Sequence, residues 1–235
     1  SVVERGVRRH DALAERWNRM LLPPEHDWEK EHELEREQEA RERAERYAQH
    51  RASFAEFAAD IEAGKAIRAL RDLATAYFGQ YADSATELPP RERLVEWVGT
   101  ELAEQAECGL VALLSRPNLP TAEQIVSARL EGQQYHTALP MICGAMLLHQ
   151  HGMALNRLAT PTLTSLLVEW WHLAYLIDGD VRELVQQELE DIVLVTEASV
   201  IQTARLLVEP SLAAGRDEIE ALTTLRGKER FDDAL

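Results

Sequence analysis

Apolar side chains recur every three to four positions along most of the chain, and prolines and glycines punctuate the runs. A helix turns about 100° per residue, so this spacing gathers the apolar groups on one face. Residues 2–21 fit the pattern through Val3, Val7, Leu13, Trp17, Met20 and Leu21, and Pro23-Pro24 stops them. Residues 25–62 read as one long helix without Gly or Pro. Its first half carries little apolar surface beyond Trp28 and Leu34; its second half gains Tyr47, Phe54, Phe57 and Ile61. Acid–base pairs four apart (Glu37/Arg41, Glu39/Arg43, Glu42/Arg46) support the charged half. It lacks a heptad seam, so we expect a charged rod that joins a core only at its end.

Gly64 marks the break after that helix. A third helix is expected over 65–81, with Ile67, Leu70, Leu73, Ala74, Tyr77 and Phe78 on its inner face. After a loop closed by Pro89-Pro90, a fourth is expected over 91–115 on Leu94, Val95, Val98, Leu102, Ala106, Leu110, Leu113 and Leu114. A stiff turn follows, Arg116-Pro117-Asn118-Leu119-Pro120, and Thr121 with Gln124 forms a capping box that opens a fifth helix, ending near Gly132. Helix six covers 135–151 and either kinks or starts at Pro140. Thr160 as N-cap and Pro161 at the first turn open a helix to 178. Asp180 and Glu183 open another, to about 195. A further helix is expected to end before Pro210, and a last one covers 216–225.

No stretch alternates with the two-residue period of a strand. The expected fold is all-α: an irregular multi-helix bundle or an α-solenoid-like stack of antiparallel helices, with one long charged helix near the N-terminus. A division at Gly64 gives residues 1–63 (N-terminal and long charged helix) and 64–235 (helical body). Leu-Val-Glu-Trp occurs at 94–97 and again at 167–170, but no other register persists, and we read the match as coincidence.

Charge narrows the function classes. The chain has 41 acidic and 25 basic residues, a formal net charge of −16. Such a field repels phosphate backbones, so nucleic acid is a disfavoured partner. The N-terminal 24 residues run the other way, with Arg5, Arg8, Arg9, Arg16 and Arg19 against Glu4, Asp11 and Glu15. Cys108 and Cys143 sit among apolar neighbours, and two buried thiols fit a reducing cytoplasm. The longest apolar stretch, 163–177, is short for a membrane span and carries Glu169 and His172. The chain opens with Ser in a helical register, which we read as a segment of a longer protein.

Candidate chemistry is sparse. Gly64-Lys65 and Gly227-Lys228 lack the upstream glycine and the following Ser or Thr of a phosphate-binding loop. Glu169 and His172 stand three apart, the spacing of a di-iron bundle, yet no second pair of that form lies in a core-like helix; His172 reads as a half-buried, hydrogen-bonded residue. His149 and His151 fall on different helix faces, and His26 and His32 lie in the charged rod. Cys108 has Glu104 and Glu107 beside it, which disfavours a thiolate. We therefore assign no catalytic, cofactor-binding or metal-ligating residue, and no cofactor. Trp97, Trp170 and Trp171 lie on core-type helices. Trp170 and Trp171 diverge by about 100°, so either their helix is central or one ring marks a partner-binding face.

Within 73–123, Tyr77-Phe78-Gly79, Pro90 with Arg93-Leu94, Gly109-Leu110 and the turn from Arg116 to Thr121 resemble helical accessory segments of large bacterial proteins built around a NACHT-type signal-transduction NTPase, some acting in antiphage defence. The resemblance implies an accessory helical part and transfers no catalytic residue. The expectation is a non-catalytic, cytoplasmic protein-interaction, sensor or scaffold module of a larger bacterial protein. Its partner would be another protein or another domain of its own chain, with no membrane. Two alternatives stand: an enzyme with its site in the helical body, and a nucleic-acid-associated protein using the Arg-rich N-terminal helix.

Overall fold

The computed structural model describes residues 10–11, 13–17, 28–81, 85–177, 180–215, 225 and 231. Among the described residues there is no strand; the backbone forms ten α-helices with complete bounds and two 3₁₀ turns, beside the helical residues 10–11 and 13–17. They are α1 (Trp28–Ala55), α2 (Ala58–Glu62), α3 (Ile67–Tyr77), α4 (Pro90–Val98), α5 (Thr100–Leu113), α6 (Ala122–Leu130), α7 (Ala138–Gln150), α8 (Thr160–Leu173), α9 (Asp180–Val193) and α10 (Glu197–Ala213). The 3₁₀ turns are Leu155–Arg157 and Ala174–Leu176. The expected helix at 216–225 lies outside the described residues except for Leu225. Of the helix at 2–21, residues 10–11 and 13–17 are described, and all are helical.

The chain divides into two compact units, Ser1–Arg46 and Tyr47–Leu235. In the first unit every described residue is helical and none is buried. The Glu37/Arg41 and Glu39/Arg43 pairs do not close. The contacts there run instead from Gln38 Nε2 to Glu42 Oε1 (3.0 Å), from Arg36 Nε to the His32 carbonyl (3.1 Å), and between His32 and Glu35 (3.3 Å). Each expected pair offered only about 0.2–0.5 kcal/mol, no more than thermal energy, so side-chain freedom prevails.

The second unit holds the core. Residues 47–62, grouped on sequence with the charged helix, bring Tyr47, Phe54 and Ile61 into it. α7 lies at the centre: from Ala138 to Leu148 every residue but Leu139 is buried, and it packs against α3, α5, α8 and α9. α2 packs on α5, α6 on α8, and α10 on α6. In a solenoid each repeat touches only its neighbours in sequence. Here α3 reaches α7 and α10 returns to α6, which makes the body an irregular bundle.

Two glycines permit the tightest crossings. A Cβ on Gly109 of α5 would overlap the Ile61 carbonyl at the end of α2; one on Gly144 of α7 would overlap the Leu110 carbonyl of α5. The two backbones of each crossing therefore touch directly. Gly64 ends α2 with φ +68°, and its carbonyl accepts a 2.8 Å bond from Arg116 Nη1.

Several expected boundaries move, each for a local reason. The helix expected over 91–115 is two helices, because Gly99 adopts φ +86° between α4 and α5. Arg51 then donates to the exposed carbonyls of Glu96 (2.6 Å) and Trp97 (3.3 Å) at the end of α4. Both Leu-Val-Glu-Trp copies consequently sit in the later half of their helices. The helix expected over 25–62 breaks at 56–57, between Phe54, whose ring meets Trp97, and Ile61 under Gly109. Pro140 lies in the first turn of α7, where no intrahelical N–H is needed. The N-cap of α8 is Ala159, whose carbonyl accepts from Leu163, so Thr160 is already helical. α10 does not stop at Pro210. It continues three residues beyond, losing one backbone donor, and stops before Gly215 at φ +64°. Thr121 and Gln124 form the expected capping box, with bonds of 2.9 and 3.3 Å.

Replacing Gly109 by Ala should destabilise the chain by about 3 kcal/mol or more in urea denaturation, because helix backbone has to move. Gly132→Ala, with φ +72° but nothing near its missing Cβ, should cost only about 1–2 kcal/mol. Equal costs at the two glycines would contradict the close-crossing account.

Candidate functional site

Glu169 and His172 share the Glu-x-x-His spacing, and α8 buries the first and half-buries the second. Glu169 is buried, and its Oε2 accepts from the Arg129 guanidinium of α6 in an ion pair. Burial pushes its carboxyl above the usual carboxylate range, while Arg129 pulls it back. His172 directs Nδ1 to the Val168 carbonyl one turn earlier, at 2.8 Å. That bond fixes Nδ1 as the protonated nitrogen. Glu169 is thus tied across the α6–α8 crossing, and His172 is half-buried and hydrogen-bonded, as expected.

The remaining nominees separate likewise. His149 faces Glu188 of α9 (3.3 Å), whose other oxygen accepts the Leu155 N–H (2.7 Å); His151 is exposed. His26 and Gly227-Lys228 lie outside the described residues. Both thiols were expected to be buried, yet only Cys143 is. Ala103, Ala106, Leu110 and Leu113 form the inner stripe of α5, and Cys108 falls two residues from Ala106, on the outer face beside exposed Glu104. Burial pushes the Cys143 thiol up, and it does the same to the Tyr77 phenol, which donates to Gln150 Oε1 at 3.2 Å. Among the described residues no group of three or more His, Cys, Asp or Glu is placed to hold a metal ion. No described helix is long and apolar enough to cross a membrane.

The tryptophans resolve into internal roles. Trp170 is fully buried. Trp171 is half-buried, donates Nε1–H to Glu190 of α9 (2.9 Å), and meets Phe231 edge-on at 6.1 Å. Trp97 packs with Phe54, His50 and Tyr81.

Two concave surfaces stand out among the described residues. One, of about 490 Å³, lies between the Arg116–Pro120 turn and the segment running from Arg157 into α8; Arg116 and Arg157 are the charged side chains among its described lining. The other, of about 610 Å³, is a groove between Glu123 at the start of α6 and the Ala198–Pro210 face of α10. Periodicity missed the first because its parts are two turns 40 residues apart, each reading as punctuation. The nearest signal is the density of Arg and Pro in both: Arg116-Pro117 with Pro120, and Arg157 with Pro161. Comparison with protein-family models, with curated proteins and with solved structures finds no match.

Trp170→Ala should cost about 3–5 kcal/mol of stability and Trp171→Ala clearly less, measured by urea midpoint. A reversed order would mean that the wrong ring faces the core. A second expectation concerns pH. The Glu169 carboxyl is raised in the fold, so the folded chain keeps a proton that the unfolded chain releases near its ordinary value of about 4.3. The stability from this group is present below that value and lost as pH rises through the folded-state value. Wild-type stability relative to Glu169→Gln should therefore fall as pH rises above about 4. A flat or rising difference would mean that Arg129 outweighs burial.

Proposed function

We propose that the chain is a non-catalytic helical protein-interaction, sensor or scaffold module of a larger, cytoplasmic bacterial protein. The observation that supports it is the first unit's surface: Leu13, Trp17, Trp28 and Leu34 are 62–64% exposed, and no described residue of that unit is buried. Large apolar groups held in water are costly, at roughly 25 cal/mol per Å², and tryptophan is the residue most enriched among interface anchors. A helical segment whose described residues keep such groups outside is suited to contact another protein surface. That surface belongs to a partner or to another domain of the same protein. The NACHT-associated resemblance points to the same class of accessory helical part. The reading gains from the placement of Glu169, whose carboxylate is engaged by Arg129 within the fold.

In-cell photocrosslinking tests this. A photoreactive phenylalanine analogue at position 28 should yield a discrete protein adduct, and Leu34→Asp should abolish it. A probe at exposed Gln187 serves as the control. No adduct at position 28, or equal adducts at both positions, would sink the reading.

A further inference from the structure

We propose that the cleft between the Arg116–Pro120 turn and the start of α8 is a docking site for an acidic segment of a partner protein, an Asp or Glu flanked by aliphatic side chains. The proposal rests on the interaction-module reading above and gives that partner a chemistry. The cleft, about 490 Å³, falls within the usual range of ligand pockets, roughly 300–1,000 Å³. Its ionised lining is wholly cationic, Arg116 and Arg157, without any Asp or Glu. In a chain with 41 acidic residues against 25 basic ones, that runs against composition.

Among the described residues, no carboxylate neutralises either guanidinium. Arg116 Nη1 donates to the Gly64 carbonyl at 2.8 Å, and Arg157 Nη1 meets the Met153 thioether at 3.2 Å. A carbonyl and a thioether carry no full negative charge. No described carboxylate lies within ion-pair distance of either arginine. Each guanidinium has five N–H donors in a planar fork matched to a carboxylate, so donors remain for a ligand. The starts of α6 and α8 border the same cleft and add partial positive charge.

The rest of the lining selects what accompanies the anion. Leu114, Leu119 and Leu158 give apolar walls, matched by an aliphatic neighbour of the carboxylate. A polyanion such as nucleic acid would have to run past the surrounding acidic surface, whose net charge of −16 opposes it. A single carboxylate on an otherwise apolar segment meets the two cations without that penalty.

A random-peptide display library panned against the full chain at about 50 mM salt tests the assignment. Enriched sequences should join Asp or Glu to Leu, Ile or Phe. A synthetic enriched peptide should lose at least about tenfold in affinity to the Arg157→Glu chain, with an unchanged circular dichroism spectrum, because Arg157 is exposed. Arg157→Lys, which keeps the charge but not the fork, should lose less. Enrichment of basic or uncharged peptides, or no enrichment, would overturn the proposal. So would a single-stranded oligonucleotide that binds the wild type and is lost in Arg157→Glu. Peptides that bind but ignore Arg157→Glu would overturn the cleft while the interaction reading stands, since the crosslink at position 28 decides that reading separately.

Discussion

The body is organised by direct contact between helix backbones. α5 lies against the end of α2 through Gly109 and against α7 through Gly144, and at neither crossing is there room for a single methyl group. Such contacts fix positions more tightly than side-chain interdigitation, since a carbonyl cannot change rotamer. With α5 held on both sides, α7 takes the centre, and α3, α8 and α9 pack around it. The inner residues of these helices are mostly Leu and Ala, which pack densely without polar atoms that would need partners. The clefts at the surface follow from that arrangement. The Arg116–Pro120 turn leaves the end of α5 where Gly64 has brought α2 to a stop, so one wall of the cationic cleft inherits its place from the glycine crossing.

Charge is handled by a division of labour. Acids outnumber bases, yet most of the basic side chains named in the body act inside the fold, on backbone carbonyls and buried carboxylates. Arg51 closes the end of α4, and Arg116 binds the carbonyl of Gly64. Arg93 donates to the carbonyls of Tyr77 and Thr86, Arg91 pairs with Glu107 at 3.0 Å, and Arg129 pairs with Glu169. A guanidinium suits this work because its donors diverge in a plane and can satisfy several orphan oxygens while its stem packs against apolar neighbours. The acidic excess is left on the outside, where water solvates it.

Helix existence was legible wherever a broad apolar face met a clear stop, as with Ile67 to Phe78 ending at Gly79, or Thr121 with Gln124 opening α6. Breaks set by tertiary contact were not. Gly99 reads as tolerable within a helix, and only its left-handed conformation, with Arg51 at the carbonyls it exposes, shows two elements. The break after Phe54 has no local marker, because it depends on Trp97 and Gly109, more than 40 residues away. Pro210 misled in the opposite sense: near a helix end, the loss of one N–H is tolerated. Cys108 shows the limit of composition, since apolar neighbours in sequence do not fix which face a side chain takes. Glu169 and His172 were recognisable as a pair on one helix face, but the partner that occupies the carboxylate, Arg129, comes from another helix, and spacing along one element cannot reveal it.

Availability separates groups that hold the fold from groups able to meet a partner. Glu169 is buried and already paired, so a ligand would have to displace Arg129 and leave a guanidinium uncompensated in the interior, a cost of several kcal/mol. His172 is tied to a carbonyl of its own helix. Arg116 and Arg157 differ: each is anchored by one contact to an uncharged atom, the Gly64 carbonyl and the Met153 thioether, and each lines the open cleft. Anchoring of that kind lowers the entropy lost on binding without cancelling the charge that a ligand would use. The two arginines of the cleft therefore combine order with charge that no described carboxylate meets, and the proposed docking of an acidic segment rests on that combination.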